Sequence, residues 1–160
     1  VTSNVGDDWT LSAGLTLLDS AYGDFLNTDA LQGDAGVLQN KGNPLNKAPE
    51  QSLNVGIVRN MTFDSGANLA LSLNAAYRSR TYFREFGQID DSQAAYTVVN
   101  FNANFETADE LFTTRFFVNN ATNEAYITDM STGDSQYGRH AAWGMPRHIG
   151  IELTRHFGTR

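Results

Sequence analysis

The residues best suited to hold a ligand are three arginines and one tyrosine near the middle of the chain. Arg78, Arg80 and Tyr82 lie at alternate positions, and Arg84 follows them. Alternate residues of a strand point to the same face. Guanidinium groups form charge-assisted hydrogen bonds with anions, and Tyr82 could stack on a ligand. The spacing therefore predicts a basic patch for an anionic ligand. The same arginines could instead pair with acidic side chains of neighbouring strands, and the sequence leaves both interpretations open.

The other candidate groups do not form a catalytic or metal-binding pattern. His148 and His156 share one parity, but eight residues of strand span roughly 26 Å, which is too far for one metal ion. The acidic residues of the loops lack the spacing of a calcium-binding loop. The chain has no cysteine, and the Gly-x-Ser-x-Gly and His-Glu-x-x-His patterns are absent. We therefore expect no enzyme activity, no cofactor and no metal.

The overall composition restricts the partners and the class of protein. The 160 residues carry a formal net charge of -7, which argues against a nucleic-acid partner. No run of about 18 apolar residues predicts a transmembrane helix. The mean hydropathy of -0.37 is a weak objection to a membrane β-barrel, because only half of each strand faces lipid. The chain begins with Val1 rather than Met, and we interpret it as a processed or excised piece.

Apolar and polar residues alternate along most of the chain. At its end, Ile149, Ile151 and Leu153 alternate with polar residues or glycine, as in a strand with one apolar face. Six segments have this pattern: 8–22, 51–63, 68–83, 95–106, 111–120 and 146–157. We predict a strand in each of them, with no convincing helix.

The connections between these segments alternate in length. Residues 64–67 and 107–110 are tight turns, whereas 23–50, 84–94 and 129–145 are long. An up-and-down meander with its turns at one end and its loops at the other has this pattern. Outer-membrane barrels combine short periplasmic turns with longer extracellular loops. About six strands are too few to close a barrel. The predicted fold is therefore all-β, an antiparallel meander forming part of a large transmembrane β-barrel, unless the chain self-associates.

The alternation also predicts which face each residue occupies. Lipid-facing positions are expected to include Leu11, Leu15, Leu71, Leu73, Phe101, Ile151 and Leu153, and inward-facing ones Thr10, Ser72, Asn102, Arg115, Glu152 and Thr154. Arg59 and Arg155 have lipid-facing parity near the turn end, where a long side chain can reach the interface. Aromatic residues fall into two belts: Trp9, Phe63, Phe105, Phe112 and Phe157 at the turn end, and Tyr22, Tyr77, Phe83, Tyr96, Tyr126 and Trp143 at the loop end.

Four stretches, in order, resemble the C-terminal part of the β-barrel of TonB-dependent outer-membrane receptors of the siderophore-receptor type. They are GNPLNKAPEQSLNVGI, LNAAYRSRTYF, FFVNNATNEAYIT and GMPRHIGIELTRHF. The third is similar to the family pattern V-x-N-L-x-D-x-x-Y, with Ala121 and Asn123 at two of its fixed positions. Two features depart from the family. Residues 158–160 follow Phe157, where members commonly end on an aromatic residue, and the family's upstream plug domain and TonB box are missing from this sequence.

The resemblance implies a location, a function and partners. Residues 1–160 would be the C-terminal portion of the barrel in a bacterial outer membrane. The parent protein would import a scarce ligand, most often a ferric siderophore, with energy delivered by TonB. Its partners would be outer-membrane lipid, the plug and the rest of the barrel, TonB and a ferric chelate. Arg78, Arg80, Tyr82 and Arg84 would then be candidate ligand contacts. Two other classes remain open, a soluble β-sandwich binding module and a passive porin-like or adhesive barrel.

Overall fold

The computed structural model describes residues 1–32, 36–132 and 138–157. These residues form no α-helix, and Ile89–Asp91 make a short 3-10 turn. No helix in this part of the chain is long and apolar enough to cross a membrane. The strands are β1 (Thr2–Val5), β2 (Trp9–Leu17), β3 (Leu26–Thr28), β4 (Val37–Gln39), β5 (Gln51–Thr62), β6 (Asn68–Arg78), β7 (Thr81–Tyr82), β8 (Ser92–Gln93), β9 (Tyr96–Glu106), β10 (Phe112–Asn119), β11 (Ile127–Thr132), β12 (Arg139–Trp143) and β13 (His148–Arg155).

One seven-stranded antiparallel sheet dominates the fold. Its order is β1-β2-β5-β6-β9-β10-β13, so that each long strand pairs with the next long strand along the chain. This order confirms the predicted all-β meander, a sheet of the kind expected in a barrel segment. The seventh strand, β1, was not predicted. Only one of its four residues, Val5, has an apolar side chain. Its residues therefore show no alternation of apolar and polar side chains from which a strand could be predicted, although β1 pairs with β2.

The connections lie at the predicted ends of the sheet. The turns 64–67 and 107–110 join β5 to β6 and β9 to β10, and Thr62↔Asn68 is the last pair before the first turn. At the opposite end, the three long connections of the main sheet are longer than predicted and run over 18–50, 79–95 and 120–147. They contain the two-stranded ribbons β3–β4, β7–β8 and β11–β12. These loops contact each other, since the Asn43 side chain donates a 2.8 Å hydrogen bond to the Glu85 carbonyl. The topology prediction is therefore confirmed.

The register aligns the two predicted faces across the whole sheet. One continuous row runs Ile57, Leu73, Phe101, Val118 and Ile149. The row next to it contains Ser72 and Asn102, opposite each other. Among the described residues no second sheet covers the apolar face, so that Ile151 stays 74% exposed and Leu15 63% exposed. A β-sandwich would bury these side chains between two sheets, and the described chain has no such arrangement.

The aromatic residues lie at the two ends, although not all of them border the apolar face. Phe63 and Phe105 contact each other at the turn end, with their ring centroids 6.5 Å apart. At the loop end, Phe83 is 7% exposed among the loops. Tyr96 pairs with Arg78 and so lies on the polar face. The loop-end belt is therefore divided between a rim of the apolar face and an inner set.

Candidate ligand-binding site

The four predicted site residues do not lie on one continuous strand. Arg78 is the last residue of β6, and its exposed side chain lies on the polar face. The chain then breaks at Ser79 and Arg80 before the short strand β7 begins. Arg80 and Tyr82 therefore belong to the loop layer above the sheet. Simple alternation could not reveal this break, because residues 68–83 keep the period of a strand throughout.

Arg80 and Tyr82 are fixed by contacts with other loops. The Arg80 guanidinium donates a 2.8 Å hydrogen bond to the Ser92 hydroxyl. The Tyr82 carbonyl accepts a 2.8 Å hydrogen bond from the Lys47 amide. Arg80 remains largely exposed, whereas Tyr82 is half-buried. Both residues lie at the loop end of the sheet, and their role as ligand contacts stays a prediction.

Arg84 is the centre of a buried ion cluster that joins the three long loops. Its guanidinium donates to Asp29 in the first loop and, over 2.9 Å, to Asp91 in the second. Arg139, in the third loop, donates a 2.5 Å hydrogen bond to the other oxygen of Asp91. Both carboxylates are fully buried and Arg84 is 8% exposed. Of the two interpretations of Arg84, the structure matches the internal ion pair, and a direct ligand contact by Arg84 stays untested.

The charges in this cluster stabilise each other against burial. Burial by itself would raise the pKa of the Asp29 carboxyl, but the Arg84 hydrogen bond, the Leu31 amide and the cationic charges lower that pKa below its usual range. Burial by itself would lower the pKa of Arg84, but the Asp29 and Asp91 carboxylates outweigh this effect and raise the pKa above its usual value. Asp29 Oδ2 has no hydrogen-bond partner among the described residues. The cluster thus depends on Arg84 to offset the desolvation of two carboxylates.

The lowered pKa of Asp29 gives a prediction for the pH dependence of the loops. A carboxyl whose pKa is lower in the folded state contributes stability above its unfolded pKa of about 3.9, and this stability disappears as pH falls through the folded value. We expect hydrogen-exchange protection of the Leu31 amide, which donates to Asp29, to be constant from about pH 7 to 5 and to fall below about pH 4. The Asp29→Asn variant should lack this acid step. Loss of protection between pH 5 and 7 would contradict the prediction.

A pocket opens beside Arg78. Its volume is about 180 Å³, and its charged lining residues are Lys47 and Arg78. Lys47 Nζ lies 2.8 Å from Asp129 Oδ1, whereas the Arg78 side chain has no hydrogen-bond or ion-pair partner within the described part of the chain. Sequence reasoning placed Asp29, Asp91 and Asp129 only among the acidic loop residues, expected to be solvated, whereas Asp29 and Asp91 are fully buried. It did not single out Lys47 or Arg139, because these residues are brought together only by the packing of separate loops.

Asn120 fixes the start of the third loop and explains part of the V-x-N-L-x-D-x-x-Y resemblance. Its amide group donates to the carbonyls of Glu124 and Met145, at 2.8 and 3.0 Å, and its side-chain oxygen accepts from the Glu124 amide. Asn120 is 3% exposed and has a positive φ of 48°, a conformation that asparagine tolerates better than most residues. Tyr126, the last residue of the pattern, stacks on Tyr96 at 4.6 Å.

Comparisons with known proteins place the fold. No protein-family model and no curated protein matches the sequence. The structure, however, is similar over 95% of this chain to the ferric yersiniabactin uptake receptor FyuA of Yersinia pestis, with a TM-score of 0.76 and 15% identity. Two further structures are similar over 95% of this chain. They are the siderophore receptor PiuA of Acinetobacter baumannii (TM-score 0.73, 16% identity) and BauA, the ferric preacinetobactin receptor of the same organism (TM-score 0.68, 21% identity).

These proteins are receptors rather than enzymes, and they confirm the resemblance to TonB-dependent siderophore receptors. At 15–21% identity the likeness establishes the fold. The chain spans about a fifth of their length, 20–21% of each. The activity, ligand and partners of the whole protein are therefore taken up as proposals.

Proposed function

We propose that residues 1–160 are the C-terminal portion of the barrel of an outer-membrane receptor that imports a ferric siderophore with energy from TonB. The observation that carries the proposal is the uncovered apolar face of the main sheet. Soluble monomers rarely expose contiguous apolar patches larger than a few hundred Å². Here Leu15, Ile149, Ile151 and Leu153 are each more than half exposed, at 57–74%. Lipid is the solvent in which such a face is stable, provided that the opposite face is polar.

Two arginines on the apolar face support this orientation. The Arg59 guanidinium lies 5.1 Å from the centre of the Trp9 ring, and that of Arg155 lies 4.8 Å from the centre of the Phe157 ring. Both pairs are at the turn end of the sheet. Aromatic rings and long cationic side chains are typical of the membrane–water interface. There a charge costs about 0–1 kcal/mol, compared with about 2–4 kcal/mol at the midplane of a barrel.

The two open edges of the sheet support the proposal that it is part of a larger barrel. Within residues 1–32, 36–132 and 138–157, β1 pairs with β2 alone and β13 with β10 alone. An open edge exposes unpaired backbone groups, which are costly in a membrane and prone to aggregation. We infer that further strands of the same protein pair with these edges, and that a plug domain and TonB complete the transporter.

The polar face at the loop end would meet the ligand. Arg78 and Arg80 are exposed there, close to half-buried Tyr82. An anionic ferric chelate would be concentrated by these charges and held by charge-assisted hydrogen bonds. Arg84 would contribute indirectly, by holding the loops around the site through Asp29 and Asp91.

Replacing Arg78 and Arg80 together by Gln should weaken binding of an anionic ferric chelate by about tenfold or more. Charged hydrogen bonds contribute about 1.5–3 kcal/mol each, and Gln keeps part of the side-chain length without the charge. The loss should become smaller at high salt, because exposed charges are screened. The measurement is equilibrium binding of ferric chelates to the protein at its full natural length in detergent.

The control is Lys41→Gln, which removes one exposed cation that pairs with Asp24 in the first loop. Its affinity should match that of the wild type. Uptake of radioactive iron by intact cells tests the transport step, and a protonophore should abolish it. Unchanged affinity of the double variant at low salt would exclude the two arginines as ligand contacts. Uptake that persists without the proton gradient would favour a passive barrel.

A further inference from the structure

The pocket beside Arg78 has the walls of a preformed subsite. It lies where three loops meet the end of β6 and β9. Lys47 is fixed through its amide on Tyr82, and Ile127 through its amide on the Gln93 side chain, both at 2.8 Å. Tyr96 lies directly across from Arg78 in the sheet and is supported by its stack with Tyr126. A wall fixed in this way loses little entropy when a ligand binds.

The charge of the pocket is suited to one negative group. Lys47 and Arg78 contribute two positive charges, and the Asp129 carboxylate lies against Lys47. Arg78 has no anionic partner among the described residues. Within the described part of the chain one cation is therefore uncompensated, and a guanidinium presents paired donors that match a carboxylate. A monoanionic carboxylate would complete the charge balance.

The remaining lining residues set the size and polarity of the ligand. Pro49, Phe83 and Ile127 provide an apolar wall. The volume of the pocket is about 180 Å³. It is smaller than the roughly 300–1,000 Å³ of a site for a drug-sized ligand. The space fits one ring with one acidic group, which is a small acid or a single arm of a larger ligand.

We propose that this pocket binds the carboxylate of a small apolar acid, with Arg78 as its principal anchor and Lys47 as a second donor. The inference rests on the proposed function, in which the polar face at the loop end meets the incoming ligand. It goes further by naming the chemical group, a carboxylate on a compact apolar body, and the residues that recognise it.

The test uses benzoate as the probe and benzamide as its uncharged counterpart, each titrated into the protein at its full natural length and followed by ligand-observed NMR. Benzoate should bind at least about tenfold more tightly than benzamide, since only benzoate carries a negative charge that pairs with the Arg78 guanidinium. Arg78→Gln should weaken benzoate binding about tenfold or more, and Lys47→Gln by less. Arg78→Lys should restore part of the affinity, and Lys41→Gln should change nothing.

Equal binding of benzoate and benzamide, or benzoate binding that Arg78→Gln leaves unchanged, would overturn the inference. Circular dichroism of each variant checks that the fold is retained, and the exposed Arg78 side chain has no partner to lose among the residues that the structure describes. Binding of benzoate that depends on Arg78, in a protein that neither binds nor imports ferric chelates, would support the pocket and refute the transport proposal. Import of a ferric chelate by a protein that does not bind benzoate would support the transport proposal and refute the pocket.

Discussion

Replacing Arg84 by Ala is expected to destabilise the packed loops by about 3–5 kcal/mol, the cost of leaving a buried charge without its partner. The substitution removes the guanidinium that holds Asp29 and Asp91, both of which are fully buried. Arg139 would still contact Asp91, but no other described residue forms an ion pair with Asp29. The first loop should therefore lose more hydrogen-exchange protection than the other two.

Hydrogen exchange measured by mass spectrometry on the folded protein tests this prediction. The informative amides are those of Leu31, which donates to Asp29, and Phe83, which donates to the Asp91 carbonyl. Arg80→Ala is the matched control, since it removes an exposed arginine four residues away that has a single side-chain hydrogen bond, to Ser92. That control should cost about 1 kcal/mol or less.

A second variant separates the charge effect from lost packing. Combining Arg84→Met with Asp29→Asn and Asp91→Asn removes Arg84 and both carboxylates together and leaves only Arg139, whose side chain is 35% exposed. Burying a neutral amide costs much less free energy than burying a carboxylate that has lost its cation. This triple variant should therefore recover much of the protection lost in Arg84→Ala. Equal protection in Arg84→Ala and Arg80→Ala would show that the cluster does not stabilise the loops.

Two adjacent residues of β6 should respond very differently to the same substitution. Leu73 lies in the middle of the strand on the apolar face and is 45% exposed. Ser72 lies on the polar face opposite Asn102. We propose that lipid covers the apolar face. Arg at Leu73 should therefore lower the free energy of unfolding in a bilayer by about 2–4 kcal/mol, and Arg at Ser72 by much less.

Denaturant titration of the full-length protein in lipid vesicles measures both changes. Arg59, which already lies on the apolar face beside Trp9 near the turn end, provides a reference for a tolerated charge. The loss of folding free energy caused by a lipid-facing charge should increase as the charge moves from the turn end toward the middle of the strand, deeper in the bilayer. Similar costs for Leu73→Arg and Ser72→Arg would refute the assignment of the faces, and a protein that stays folded and monomeric without lipid or detergent would argue against a membrane location.

The alternation of apolar and polar residues along the sequence was sufficient to predict the main sheet. Residues such as Leu71, Leu73, Ile151 and Leu153 alternate with polar ones, and in an antiparallel meander this alternation fixes the face of each strand and, with the turn lengths, the order of pairing. The turns 64–67 and 107–110 and the three long connections were located for the same reason. Local information suffices for these features, because each strand pairs with its neighbour along the chain.

The sequence could not determine how the loops pack. β1 is too short and polar to show a period, and the break after Arg78 is hidden within a strand-like stretch. Arg84, Asp29 and Arg139 belong to three separate loops, and nothing in their spacing indicates that they meet. Electrostatics and burial over distant segments decide such contacts. The tertiary structure alone therefore distinguished Arg78, which remains free among the described residues, from Arg84, whose charge is compensated inside the fold.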